Sequence, residues 1–177
     1  MARWIIDPDH TVAAFAVRHF MVTDVHGQFN SISGTIYFDP PDLKSLSAEV
    51  TIHASVMTTG ITKRNEHLKS ADFLEVEKFP EIKFNSGAVE LTGLNSCKLH
   101  GTLFIRGLER PVVLDAECLG PISSPWGETT LGFRASTSVN REDFGMTWNV
   151  KMEKGGFVAG REVRITLCAE ADLAEGG

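Results

Sequence analysis

Hydrophobic and polar residues alternate with a period of two along most of this chain. In the segment TVAAFAVRH, Ala13, Phe15, Val17 and His19 fall on one face of an extended strand. The alternation recurs in seven further segments: residues 31–40, 47–55, 81–85, 98–107, 111–120, 131–140 and 161–171. Each segment predicts a strand with one apolar face and one solvated face.

Turn signals separate these strands, and no helical crossover lies between them. The signals are residues 24–27, 39–42, 93–96, 107–111 and 120–127, which are rich in Gly, Pro, Asn and Asp. Parallel neighbours need crossovers of a dozen or more residues, so the sheet is expected to be antiparallel. About eight such strands form either a two-sheet sandwich or a closed barrel, and the pattern alone leaves both open.

The inward positions mix small and large residues. Small residues fall at Ala13, Gly34, Ala48, Ala54, Gly101, Ala116, Ala135 and Ala169. This mixture fits a vacant apolar lumen, but it also fits a solid, tapered barrel core.

One segment, KRNEHLKSADFL at residues 63–74, breaks the alternation and is called the lid segment below. Thr62 is the expected N-cap of a short helix through Lys69, and Phe79-Pro80 ends the irregular stretch before the next strand. A single helix between strands of a meander has room only across one mouth of a barrel. Leu68, Phe73 and Leu74 are therefore expected to face the lumen.

Composition narrows the function classes. The chain has 177 residues, expected to form one domain over 1–177, and a net charge of −6 that argues against a nucleic-acid partner. No apolar run reaches the length of a membrane span, and MARWIIDPDH lacks a secretory h-region, so a soluble cytoplasmic protein is expected. Three widely spaced cysteines predict neither a disulfide framework nor a zinc knuckle.

The motifs in several segments resemble the YceI-like family of lipocalin-like proteins. The strongest is RNEHLKSADFL (64–74) followed by FPEIKF (79–84). The others, in chain order, are WIIDPDHT (4–11), HGQF (26–29), GTIYFDP (34–40), GTLFIRG (101–107) and NREDFGM (140–146). Two departures stand in the lid segment, where Asn65 and Leu74 replace the Asp and the second aromatic residue that are usual in the family.

The resemblance implies an all-β, eight-stranded antiparallel barrel closed by one short helix. It implies an apolar lumen that carries or sequesters a polyisoprenoid, an isoprenoid quinone or a fatty amphiphile, with no catalysis, and it implies a homodimer. No cofactor is expected, and no metal is expected because the sequence lacks a motif that would hold metal ligands on one face. It also favours a tunnel over a solid core. The expected ligand-binding residues are Phe15, Val17, His19, Phe29, Ile36, Phe38, Val50, Ile52, Arg64, His67, Leu68, Phe73, Leu74, Ile82, Phe84, Leu103, Ile105, Phe133, Met146 and Trp148.

An enzyme acting on a small apolar or lipid-like substrate inside the barrel is the alternative. His19, Asp24 and His26 are close enough in sequence to suggest a metal site or an acid–base pair. However, the predicted turn at 24–27 separates the histidines, and no nucleophile elbow or zinc-protease motif is present. Arg64 and His67 are expected either to contact a ligand head group or to form a solvated helix face.

Overall fold

The computed structural model describes residues 1–174 and is built almost entirely of strands. A single α-helix, α1 (Thr62–Lys69), and a 3₁₀ helix (Arg141–Phe144) complete the described elements. The strands are β1 (Arg3–His19), β2 (Thr23–Phe29), β3 (Ile32–Asp39), β4 (Asp42–His53), β5 (Met57–Thr58), β6 (Glu81–Leu91), β7 (Ser96–Ile105), β8 (Leu108–Ser123), β9 (Thr129–Asn140) and β10 (Ala159–Leu173).

The strands close into an antiparallel barrel with eight positions. Neighbours follow the order β10-β9-β8-β7-β6-β4-β3-β1, and β1 pairs again with β10 to close the ring. The seventh position, beside β1, is shared by two strands, because β3 pairs with the first part of β1 and β2 pairs with the last part. Closure removes the unpaired edges that an open sheet would expose. The predicted all-β antiparallel barrel is confirmed.

The half of the barrel around the start of β1 is solidly packed. The Phe38 ring stands edge-on to Phe133 with centroids 6.3 Å apart, and the Leu131 side chain is fully buried. The Trp4 indole donates a hydrogen bond to the Phe38 carbonyl, which satisfies its polar atom inside the core. Alternation therefore buries large apolar side chains in this half as the sequence predicts.

Several turns lie elsewhere than predicted. Residues 24–27 belong to β2, and the β1–β2 turn falls at residues 20–22, where Phe20 and Met21 take positive φ angles of 48° and 62°. Bulky residues rarely adopt this conformation, so the sequence carries no local signal for the turn. Strand β8 likewise continues through Pro111 and Pro121 before the chain turns at residues 124–127.

The helix lies where the lid segment predicts it, with a different start. Thr62 is the first helical residue, Ile61 holds the cap position, and no side chain caps the helix. The lid segment and the ends of β1, β4, β7 and β9 line one cavity, which places the segment across that end of the barrel. Within residues 1–174, no helix is long and apolar enough to span a membrane.

Candidate functional site

An apolar cavity of about 310 Å³ fills the half of the barrel next to the lid segment. Ligand pockets in proteins commonly measure roughly 300–1,000 Å³, so this space is large enough for part of an apolar molecule. Its apolar lining comes from eight strands, the lid segment and the chain between β9 and β10: Ala13, Ala14, Phe15, Val17, Val25, Phe29, Ile52, Met57, Leu68, Phe73, Leu74, Ile82, Leu103, Ile105, Val139, Met146, Trp148, Val158, Ala159, Val163 and Ile165.

A row of valines crosses four neighbouring strands and forms one wall. Val17 pairs with Val25 on one side and with Val163 on the other, and Val163 pairs with Val139. β-Branched side chains have few rotamers, which makes such a row stiff. The wall is therefore smooth, apolar and fixed in shape.

Phe15 projects from the same strand and is held by a glycine on its neighbour. Its ring occupies the space that a side chain at Gly27 would fill, and it lies 5.5 Å from the ring of Phe29. Gly27 is thus required for close approach, and this contact sets the position of an aromatic side chain that lines the cavity.

Three rings form an aromatic cluster where the lid segment meets the chain after the 3₁₀ helix. His67 stands edge-on to Trp148 at 4.7 Å and to Phe73 at 5.1 Å between centroids, and Phe73 lies 5.4 Å from Trp148. Edge-to-face pairs of this kind stabilise by about 0.5–1.5 kcal/mol beyond the buried area. The cluster fastens the lid segment over the cavity.

His67 also contacts an acid. Its Nε2 lies 2.8 Å from Oδ2 of Asp72, so the carboxylate orients the imidazole that also contacts Phe73 and Trp148. A histidine oriented by a carboxylate is chemically suited to accept or donate a proton.

Arg64 lines the cavity while part of its guanidinium holds the preceding loop. Nε donates to the Thr59 hydroxyl at 2.8 Å, and one terminal nitrogen donates to the Thr59 carbonyl at 2.7 Å. Oδ1 of Asn65 accepts from the amide and the hydroxyl of the same threonine. The YceI-like sequences that this chain resembles usually have Asp at the position of Asn65. In this chain the acceptor in the network is therefore a neutral amide oxygen.

Arg141 is the most deeply buried charged side chain of the described residues, at 2% exposed. Its guanidinium donates to the carbonyls of Met146, Ala159 and Gly160, and it stacks 5.8 Å from the Phe73 ring. Burial lowers the pKa of this guanidinium, because removal from water disfavours the charged form. Arg141 also lines the cavity.

Arg106, in the β7–β8 turn, also fastens the lid segment. The Arg106 guanidinium donates to the carbonyls of Ala71 and Gly145 at 2.9 and 2.7 Å, and it pairs with Glu75 at 3.3 Å. It thereby ties the chain around the end of the lid segment to the loop after the 3₁₀ helix.

Fifteen of the twenty predicted ligand-binding residues line this cavity. They are Phe15, Val17, His19, Phe29, Ile52, Arg64, His67, Leu68, Phe73, Leu74, Ile82, Leu103, Ile105, Met146 and Trp148. Whether they bind a ligand stays a prediction.

The placement of Ile36, Phe38, Val50, Phe84 and Phe133 must be corrected: all five are buried in the core and none lines the cavity. Alternation predicts that a side chain points inward, but not whether its level of the barrel is filled.

Sequence reasoning missed several lining residues, most importantly Arg141. For Val163 and Ile165 a signal was available, because they alternate at the start of β10, and Arg141 stands in the motif NREDFGM after β9. Nothing in the local pattern, however, shows that the 3₁₀ helix folds back over the barrel end.

The group His19, Asp24 and His26 does not form the acid–base or metal cluster considered from the sequence. Asp24 accepts a hydrogen bond from Arg164, which lowers the pKa of that carboxyl, and it also pairs with Arg18 at 3.3 Å. A different trio, Asp7, His10 and Glu170, brings its ligand atoms within 4.8 Å of one another at a β1–β10 bulge.

Comparisons with known proteins agree with this architecture. The chain is 33% identical over 147 residues to a UPF0312 protein of Pseudomonas savastanoi, covering 82% of this chain and 77% of that protein. It is 32% identical over 171 residues to protein YceI of Salmonella newport, covering 96% and 86%.

Two solved structures share the fold. BcnA of Burkholderia cenocepacia matches with a TM-score of 0.79 at 20% identity, over 93% of this chain and 98% of that one. A polyisoprenoid-binding domain from Saccharophagus degradans, implicated in plant cell wall breakdown, matches with a TM-score of 0.71 at 12% identity, over 97% and 98%. The model of the YceI-like domain matches residues 4–171. With this match spanning nearly all of the barrel, the chain belongs to the YceI-like family.

Proposed function

We propose that this protein binds a long apolar molecule, of the polyisoprenoid, isoprenoid-quinone or fatty-amphiphile class, and carries or sequesters it without transforming it. The observation that carries the proposal is the apolar cavity beneath the lid segment. The valines and aromatic rings of the wall make no polar contact with an apolar tail, so binding of the tail depends on burial and chain length.

The size of the cavity bounds the strength of binding. Each buried methylene contributes about 0.8 kcal/mol, so roughly ten of them supply about 8 kcal/mol. Ordering costs reduce this sum, so the net Kd is weaker than the roughly micromolar value that about 8 kcal/mol alone would give. A volume of about 310 Å³ is near the lower end of ligand pockets, so a longer chain would extend past the lid segment.

The family supports this proposal. The Saccharophagus degradans structure that shares the fold is a polyisoprenoid-binding domain. At 12% identity that likeness concerns the fold, and the lining residues of this chain carry the rest of the argument.

Native mass spectrometry of protein purified from its own host tests the proposal. A copurified lipid is expected in the wild type, and Val163→Trp should abolish it by filling the cavity from the valine wall. Val113→Trp is the matched control, because Val113 is exposed on β8 and is absent from the cavity lining. Equal lipid content in folded wild-type and Val163→Trp protein would contradict the proposal.

An enzyme acting on an apolar substrate in the same cavity is the second candidate, favoured by the His67–Asp72 pair. Against it, the cavity lining within residues 1–174 includes no Ser, Thr, Cys, Tyr or carboxylate that could act as a nucleophile. A copurified lipid that changes mass on incubation with wild-type protein, but not with His67→Gln, would favour the enzyme.

We further propose a cytoplasmic homodimer as the working state. The cytoplasmic location and the dimer both rest on the sequence and its resemblance to the family, and each can be measured directly. Sedimentation at micromolar concentration tests the dimer, and fractionation of the host cell tests the compartment.

A further inference from the structure

The ionisable groups around the cavity are all basic. Arg18, His19, Arg64, His67 and Arg141 line it, and no Asp or Glu of the described residues does. Asp24 pairs with Arg18, and Asp72 lies against His67, so two of these groups have a carboxylate nearby. Arg64 and Arg141 have no ion-pair partner within residues 1–174.

Arg141 is the more unusual of the two, because a buried charge normally requires a counter-charge. Glu142, its sequence neighbour, pairs instead with Arg161 at 3.2 Å. A guanidinium has five N–H donors, and three of those of Arg141 reach backbone carbonyls, which leaves two. The site is a nearly fully buried cation at an apolar cavity, with donor capacity to spare.

Arg64 adds a second cation on the lid side of the same cavity. Two of its five donors reach Thr59, which leaves three. Residues three apart on a helix are neighbours, and His67 on that face contacts Phe73, over which Arg141 stacks. The two arginines therefore flank one aromatic cluster.

We propose that the ligand is an amphiphile with an anionic oxygen head, a carboxylate or a phosphate, which is held by Arg64 and Arg141 while its apolar tail fills the cavity. This inference rests on the proposed function and names the chemical class of the ligand. Both heads accept paired hydrogen bonds from a guanidinium, and such charge-assisted bonds are among the strongest in proteins.

Other heads fit less well. A neutral quinone or alcohol accepts hydrogen bonds but supplies no counter-charge to the buried Arg141. A cationic head would be repelled in a medium where charges interact more strongly than in water. An anion offsets the cost of burying Arg141 and uses the free donors of both arginines.

Displacement of the neutral dye Nile red from delipidated protein tests the inference with ligands matched in tail and different in head. Dodecanoate is compared with dodecanol, and farnesyl phosphate with farnesol, while acetate and inorganic phosphate supply heads without tails. The wild type is expected to bind at least one anion about ten-fold or more tighter than its alcohol. The preferred pair identifies the head as carboxylate or phosphate.

Arg64→Met is the test variant. Arg141 is not changed, because its guanidinium also binds three backbone carbonyls and its loss would disturb the fold. Arg64→Met should reduce the anion preference, the ratio of alcohol Kd to anion Kd, to near one, and Arg64→Lys should restore part of it. Arg134→Met, which removes an exposed charge away from the cavity, should keep the full preference. Equal binding of anion and alcohol by the wild type, or a full preference in Arg64→Met, overturns the inference alone. Failure of every tailed compound to displace the dye overturns the proposed function instead.

Discussion

The imidazole of His67 stands perpendicular to the indole of Trp148, with ring centroids 4.7 Å apart. One residue lies on the helix of the lid segment and the other in the chain between the 3₁₀ helix and β10. Their contact joins two segments that local sequence patterns treat as unrelated.

Arg106 is predicted to control the opening of the lid segment. Arg106→Met removes two hydrogen bonds to carbonyls and the Glu75 ion pair, and charged hydrogen bonds each contribute about 1.5–3 kcal/mol. Amide hydrogen exchange around residues 62–75 should therefore accelerate by about ten-fold or more, while the packed strands change little. Arg110→Met is the control, because Arg110 lies on the same hairpin and its guanidinium, within residues 1–174, donates a hydrogen bond only to the carbonyl of its neighbour Glu109. Unchanged exchange in Arg106→Met would show that the arginine does not hold the segment.

The packed and hollow halves of the barrel are predicted to respond differently to truncation. Leu131→Ala removes a fully buried side chain from the packed half and should lower the free energy of unfolding by about 2–5 kcal/mol. Leu103→Ala should cost less, because Leu103 already borders vacant space and loses fewer contacts. Urea unfolding of delipidated protein measures both. An equal or larger cost for Leu103→Ala would contradict the division into two halves.

The cysteines are predicted to react in a fixed order. Burial raises the pKa of the Cys118 thiol to about 11 and also raises that of Cys97, whereas Cys168 is exposed. At about pH 8 only about one Cys118 thiol in a thousand is ionised, and the thiolate is the reactive form. One thiol per chain should thus react rapidly with a chromogenic disulfide, and Cys168→Ser should remove that phase. Two equally fast thiols in the native protein would refute the order.

The Asp7–His10 pair is predicted to make stability depend on pH. Its hydrogen bond, 2.6 Å from Nδ1 to Oδ2, raises the pKa of His10 and lowers that of Asp7. The histidine contributes stability that is fully present below its ordinary pKa of about 6.5 and is lost as pH rises through the raised value. The aspartate contributes stability above its ordinary pKa of about 3.8, which is lost as pH falls through the lowered value.

His10→Gln should therefore lower Tm more at about pH 6 than at about pH 9. An NMR titration of the wild type should place the His10 pKa above that of a free histidine, and Asp7→Asn should return it towards the ordinary value. A Tm difference between wild type and His10→Gln that is independent of pH would count against the pair.

The sequence pattern by itself determined the antiparallel strands and the position of the helix, whereas closure into a barrel came from the family resemblance and is seen in the β1–β10 pairing. Period-two alternation fixes which side chains point inward, because successive side chains leave a strand on opposite faces. The interruption of this alternation at residues 63–74 similarly marks the position of the helix. These are local properties of the chain, so they can be read without knowing any contact.

Only the tertiary structure decided which part of the barrel is hollow. Ile36 and Ile52 lie on paired neighbouring strands and look alike in sequence, yet Ile36 packs in the core and Ile52 lines the cavity. Whether a given height of the barrel interior is filled depends on the sizes of the side chains that several strands contribute there, and on the register between those strands. The placement of Arg141 beside the cavity depends in the same way on a contact with the distant Phe73, for which nearby residues carry no pattern.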